Sequence, residues 1–236
     1  IKVGASFTAD TFDALFEGVR ALPWADFIGK NDCFPVKGHS IKSKLTSIPD
    51  CQSIIKKAVV TSLSEVYGIK QFPETGVKYQ IEFFIFNDSA TLMIDTSGTP
   101  LHKRGYRRES NGAPIRETLA AAIVALSRPR EEVLFWDPMC GSGTIAIEAA
   151  MKMANIAPGK NRHFAAESFP FIDKRLWADV REEAIAGEID TKFDVYASDI
   201  DDACVALTIQ NAKRAGVNRY IRAMHLDARR IGAPGR

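Results

Sequence analysis

The chain has no apolar run long enough to cross a bilayer. Its longest, Leu119 to Leu126 in TLAAAIVALS, falls far short of the roughly 20 residues that a spanning helix needs. Cysteine is sparse and scattered. Cys33, Cys51, Cys140 and Cys204 form no C-x-x-C pair and have no His at zinc-finger spacing, which argues against a metal site and for reduced thiols in a cytoplasm. Excess charge of one sign is missing as well: 31 Lys and Arg stand against 29 Asp and Glu, so whole-chain electrostatics do not point to nucleic acid. No repeat or low-complexity tract occurs. The opening IKVGASF has neither Met nor a secretory layout, so the first residue is expected to be an arbitrary cut.

What is present suffices for a folded core. With 236 residues, 46% of them hydrophobic, the chain can hold one large domain or two small ones, and global disorder is excluded. In the first half, Phe12, Leu15, Phe16 and Val19 share a helical face, with Thr8 or Asp10 as cap and Pro23 as stop. Cys51, Ile55, Val59, Leu63 and Val66 recur at helical spacing after Pro49, and Gly68 closes that helix. Alternation of Val77, Tyr79, Ile81, Phe83 and Ile85 predicts a half-buried strand, which NDSA turns back into TLMIDTS. These elements make an α+β unit.

Past SNGAPIRE the pattern changes. Pro114 starts a helix whose Ile115, Leu119, Ala122, Ile123 and Leu126 form the expected apolar stripe. EVLFW, FDVYAS and YIRAMHL then read as compact strands, alternating with helices over residues 143–153 and 201–215, which argues for parallel βαβ units. An insert between the first of these helices and the second strand reads as a loop plus a helix around Trp177.

In open α/β sheets ligands bind beyond the carboxyl ends of the strands, where DPMCGSGT falls. Gly141 and Gly143 would let a ligand approach the backbone and the helix N-terminus behind them. A tight turn without ligand has the same spelling, and GSGTIA also satisfies the dinucleotide pattern G-x-G-x-x-G/A. Charge separates the ligands. Asp137, just before the turn, would face a pyrophosphate at a cost of order kcal/mol, whereas it would attract the ammonium and sulfonium of S-adenosylmethionine. Asp199 ends the second strand, where a carboxylate can accept from both hydroxyls of a ribose, although it follows Gly141 by far more than the roughly 20 residues of a dinucleotide fold. Asp227 ends the third and could accept from an adenine amine. Singly, Asp199 or Asp227 could instead be a helix cap.

DPMCGSGTIAIEAA, YASDIDDACVALTIQNAKRAGV, LHKRGYRRESNGAPIRETLAAAIVAL and the insert's NIAPGKNRHF together resemble the THUMP-containing UPF0020 methyltransferases. That family modifies a guanine N2 in large-subunit ribosomal RNA and is often described as adenine-specific DNA methylases. The resemblance implies an α/β Rossmann-like class I methyltransferase domain preceded by an α+β THUMP/ferredoxin-like region. Residues 1–108 would be a ferredoxin-like remnant, THUMP region and linker, and residues 109–236 the N-terminal part of the methyltransferase domain. It also implies that Asp137, Met139, Cys140, Gly141, Ser142 and Gly143 surround the methionine end of S-adenosyl-L-methionine. Asp199 would hold its ribose, Asp227 its adenine, and Ile200 would lie against the adenine face. Ile200 is equally readable as an ordinary helix-start residue, and Cys140 as a small buried thiol.

The family's N-P-P-Y/F tetrapeptide, which follows the fourth strand and holds the target base, is absent, and GAPGR closes the sequence where that strand should begin. The expectation is therefore a domain incomplete at its C-terminus, with cofactor-side residues present, base-side residues missing, and no assignable general base. The strip HKRGYRR carries Lys103, Arg104, Tyr106, Arg107 and Arg108, which reads either as a solvated linker or as an RNA contact with Tyr106 stacking on an unpaired base. Lys42, Lys44, Lys56 and Lys57 could add phosphate contacts, or could be plain surface as lysines on a helix face commonly are. Taken together, an S-adenosylmethionine-dependent methyltransferase of structured, ribosomal RNA is expected, with no metal and no membrane. Its rivals are an NAD(P)-binding oxidoreductase, an RNA-binding protein with a vestigial methyltransferase domain, and, more weakly, a DNA methylase.

Overall fold

The computed structural model describes residues 1–107, 114–190, 192–230 and 232. The chain divides into two units, Ile1–Gly98 with Phe164–Ile172, and Thr99–His163 with Asp173–Arg236. The boundary thus falls earlier than residue 108, and a piece of the insert returns to the first unit. There Phe169 stacks on the buried ring of Tyr79, with centroids 4.6 Å apart, and the Ala165 and Ala166 amides donate to the carbonyls of Ser97 and Thr96.

The first unit has β1 (Phe7–Thr8), α1 (Phe12–Arg20), β2 (Val36–Ile41), α2 (Ile48–Tyr67), β3 (Ile81–Phe86) and β4 (Ser89–Ile94). Thr11, rather than Thr8 or Asp10, caps α1, its side chain accepting from the Ala14 amide. The α2 periodicity holds for Cys51, Ile55, Val59 and Leu63, all buried, while Val66 is exposed in the last turn. Gly68 ends α2 at φ +68°, a left-handed conformation that costs a residue without Cβ little. The hairpin pairs β3 and β4 antiparallel. A strand that the periodicity did not announce, β2, runs parallel to β3 at the sheet edge in the order β1-β4-β3-β2.

The second unit is a parallel α/β layer. It comprises α3 (Glu117–Ser127), β5 (Phe135–Asp137), α4 (Thr144–Met153), α5 (Lys174–Ala186), β6 (Val195–Asp199), α6 (Asp202–Ala215) and β7 (Ile221–His225), with strand order β5-β6-β7. Ala146, Ile147 and Ala150 of α4 bury against Phe193, Val195 and Ala197, placing the core under the sheet. The expected stripe on α3 is corrected. Ala120 and Val124 face the core, and Leu119, Ile123 and Leu126 are exposed. Small side chains let α3 approach α4 closely, so size, not hydrophobicity alone, chose the buried face. Among the described residues no helix is long and apolar enough to cross a membrane, no metal-ligand cluster forms, and all four cysteines are free.

Candidate functional site

The carboxyl ends of β5, β6 and β7 deliver three acids to one end of the parallel sheet. Asp137 closes β5, Asp199 closes β6 opposite His225, and Asp227 lies just past β7. Between β5 and α4 the chain makes the turn Pro138 to Gly143. Its entry is held to β6 by the Cys140 amide, which donates to the Ser198 carbonyl at 2.9 Å.

The two glycines serve different ends. At Gly141 (φ +54°) a Cβ would meet nothing within 4 Å, so this position opens onto free space. At Gly143 (φ +79°) a Cβ would lie 2.7 Å from Thr208 Cγ2, so this one is required by packing. Two wholly buried polar residues of α6 brace the turn from below. Thr208 Oγ1 donates to the Gly141 carbonyl at 3.0 Å and Asn211 Nδ2 to the Ser142 carbonyl at 3.0 Å. Within the turn the Gly143 amide donates to the Cys140 carbonyl at 2.8 Å, closing it on itself. Neither Thr208 nor Asn211 was singled out from the sequence. The signal that could have found them is a pair of polar positions three apart on the inward face of an otherwise core-forming helix.

Asp199 completes the arrangement. Its Oδ2 accepts from the Gly141 amide at 2.9 Å and its Oδ1 from the Asp201 amide at 3.1 Å, so the carboxylate is oriented before any ligand arrives. The helix-cap reading belongs to its neighbour: Asp201 caps α6 through the Ala203 amide. Burial pushes the Asp137 carboxyl above the usual range; the Met139 amide, 3.4 Å from Oδ1, pulls the other way, and the charge of Asp199 adds to the rise. Cys140 is buried beside Thr208, and burial pushes its thiol up to about 11, so it is a packing group rather than a nucleophile. Ser142 is buried, whereas Met139 and Ile200 are 76% and 62% exposed on the rim. Asp227 is engaged by Arg229, whose Nη2 lies 2.7 Å from Oδ2, and this pairing lowers its pKa. An adenine amine would have to share or displace that fork.

The basic strip needs correction. Tyr106 is 4% exposed and its hydroxyl donates to Glu148 Oε1 at 2.9 Å, so its ring belongs to the core and cannot stack on a base. Arg104 pairs with the same Glu148 oxygen at 2.9 Å. Arg107 pairs with Glu117 at 3.0 Å and donates to Thr144 Oγ1 and the Ile115 carbonyl. These two guanidiniums are committed to buried acids within the second unit, which takes them out of the surface strip. Lys103 is exposed, and Arg108 lies outside the described residues. Lys44 pairs with Asp10 at 2.9 Å, and Lys56 with Glu74 at 2.6 Å. A cavity of about 710 Å³ beside Arg104, Glu148, Asn155 and Glu183 lies away from the strand tips and contains no part of the glycine turn.

The same chain resembles known proteins along both units. Residues 104–235 match the UPF0020 family, described as an RMKL-like methyltransferase domain, and residues 9–95 match the THUMP domain. Over 228 residues the chain is 46% identical to "Putative RNA methyltransferase YpsC" of Bacillus subtilis (strain 168), covering 95% of this chain and 59% of that protein. It is 32% identical over 244 residues to the ribosomal RNA large subunit methyltransferase K/L of Psychromonas ingrahamii, covering 99% of this chain and 32% of that one. The crystal structure of SMU.472, solved in complex with SAH, superposes with a TM-score of 0.89 at 40% identity, covering 99% of this chain and 62% of its own. The chain therefore spans less than two thirds of the length of each of these relatives.

Proposed function

The chain belongs to the UPF0020 family of RMKL-like methyltransferases, and from that membership we propose that the protein it represents transfers a methyl group from S-adenosylmethionine to an exocyclic amine of an RNA base, guanine N2 of 23S ribosomal RNA being the specific assignment. The observation that carries the reading is the commitment of Asp199 to the Gly141 amide at 2.9 Å. A pyrophosphate would need the amides of this turn for itself, and here a carboxylate already holds one of them. A cationic nucleoside has the opposite needs: a ribose acceptor, open space at Gly141, and an acid nearby.

In this reading Asp199 accepts from the ribose hydroxyls while keeping the Gly141 amide. Asp137 faces the cationic methionine end, enclosed by Met139, Cys140, Gly141, Ser142 and Gly143. Ile200 lies against the adenine ring and Asp227 accepts from its amine after exchanging part of its contact with Arg229. When bound, S-adenosylmethionine supplies an activated methyl group on a sulfonium. The chain's own residues hold it in line for an incoming amine, so positioning provides much of the rate. Thr208 and Asn211 keep the turn in shape throughout. Residues 1–98 with the THUMP match would bind structured ribosomal RNA, and Lys103 remains available as a phosphate contact in the second unit. The kinship of the chain to a protein named for ribosomal RNA supports RNA over DNA.

Calorimetry with S-adenosylmethionine and with NADH tests the cofactor. Binding of NADH in preference would overturn the reading. For the substrate, the full-length protein is given methyl-labelled S-adenosylmethionine with 23S ribosomal RNA or DNA, and the product nucleosides are resolved by mass spectrometry. N2-methylguanosine is the expected product, and label in DNA adenine alone would overturn the assignment.

A further inference from the structure

The sheet of the first unit buries Ile81, Phe83 and Ile85 of β3 on one face and presents Phe84 and Phe86 on the other. Those two rings are 38% and 42% exposed, parallel within 6°, with centroids 6.1 Å apart. In the cross-strand register Phe84 lies between His39 and Thr91, and Phe86 between Ile41 and Ser89. The Thr91 hydroxyl is linked to Ser6 at 2.8 Å. Two parallel aromatic rings on neighbouring rungs of one strand are a costly surface to leave in water unless something covers it.

The charges around them select the occupant. Lys2, whose backbone bridges to Met93, and Lys42, which follows β2, are exposed. Glu82, which shares the face of Phe84, is paired with Lys37 at 2.8 Å, and a hollow of about 360 Å³ opens beside His39 and Phe84. Flat π-faces flanked by cations and hydroxyls suit unpaired nucleobases, whose rings stack regardless of identity while the lysines neutralise phosphates. We propose that the open face of this sheet is a stacking platform for unpaired bases of the RNA substrate, with Phe84 and Phe86 as the rings and Lys2 and Lys42 as the phosphate contacts. The platform rests on the RNA methyltransferase reading, and it is separate from the cofactor turn in both residues and unit.

The test uses the full-length protein and a short unstructured RNA carrying 2-aminopurine, with a duplex RNA for comparison. Wild type is expected to quench 2-aminopurine in the single strand. Phe84→Ala with Phe86→Ala should weaken single-strand binding about tenfold or more, leaving S-adenosylmethionine affinity unchanged. Phe84→Tyr with Phe86→Tyr should restore binding, and Lys2→Glu with Lys42→Glu should lower its salt dependence. If the alanine pair fails to fold, the tyrosine and glutamate pairs carry the test. The platform is overturned if the folded alanine pair binds RNA as wild type does. It is overturned equally if sedimentation shows a dimer that the alanine pair dissociates without loss of RNA binding, which would assign the face to a second copy. In both cases the methyltransferase reading stands. A wild type that binds S-adenosylmethionine but no RNA would remove the platform and the RNA substrate together.

Discussion

Asp199 Oδ2 accepts the amide of Gly141 at 2.9 Å, joining the end of β6 to the glycine turn 58 residues earlier in sequence. One carboxylate thereby shapes the glycine turn, and in the proposed function it also accepts from a ribose. Replacing it with alanine is expected to weaken S-adenosylmethionine binding by about 1–3 kcal/mol through lost charge-assisted hydrogen bonds. Calorimetry on the folded variant measures this, and unchanged affinity would show that the ribose is held elsewhere.

The raised pKa of Asp137 makes a pH prediction. Without ligand its carboxyl keeps a proton to higher pH than usual, because burial disfavours the charge. A cationic ligand binds the ionised form, so affinity for S-adenosylmethionine should fall as pH drops through that raised value. Asp137→Asn should bind weakly with a flat pH profile across the same range. A wild-type profile equally flat would separate Asp137 from the ligand.

Thr208 supports the turn in two ways, and two variants separate them. Gly143→Ala places a Cβ 2.7 Å from Thr208 Cγ2 at φ +79°, which should cost about 2–4 kcal/mol of stability. Thr208→Val keeps the volume and removes the donor to the Gly141 carbonyl, at about 1–3 kcal/mol, and should also reduce cofactor affinity. Denaturant melts and calorimetry read the two effects; a Thr208→Val protein of wild-type stability would show that the carbonyl finds another donor.

Glu148 should make the second unit sensitive to pH. Burial pushes its carboxyl up to about 7 from 4.5, against the pull of Arg104 and Tyr106. An acid whose folded pKa is raised contributes stability at pH below its unfolded value and loses it as pH rises through the folded value. The slope therefore lies between about pH 4.5 and 7 and amounts to roughly 3 kcal/mol. Unfolding free energies measured across that range should fall with pH in wild type and stay flatter in Glu148→Gln. A wild-type curve that rises there would place Glu148 in the ordinary ionised state.

Tyr106→Phe removes the hydroxyl that donates to Glu148 and should lower stability by about 1 kcal/mol while leaving RNA affinity unchanged. A variant that loses RNA binding without losing stability would return this ring to the RNA surface.

Much was legible in the sequence because it is local. The burial of Cys51, Ile55, Val59 and Leu63, and of Tyr79, Ile81, Phe83 and Ile85, follows from helix and strand geometry acting on near neighbours. Asp137, Asp199 and Asp227 were readable as strand-tip acids because each directly ends or follows a recognisable strand, and parallel topology sends such tips to one side. β2 escaped because VKGHSI carries Gly38 and a solvent face of Lys37 and His39 at a sheet edge, where alternation is weak.

What the sequence determined by itself was the two long helices and the hairpin of the first half, the α/β order of the second half and the acids at the strand ends, since each depends on spacing within a few residues. Only the tertiary structure decided which charges were surface and which were core. HKRGYRR offers its cations in a row, yet Arg104 and Arg107 went to Glu148 and Glu117, residues of other helices, and Tyr106 followed them inside. It decided too that Ala120 rather than Leu119 would meet α4, and that Thr208 and Asn211 would reach across to brace the glycine turn. Burial and pairing are properties of what packs alongside, and what packs alongside is set by contacts between residues far apart in the chain, where no local period can be read.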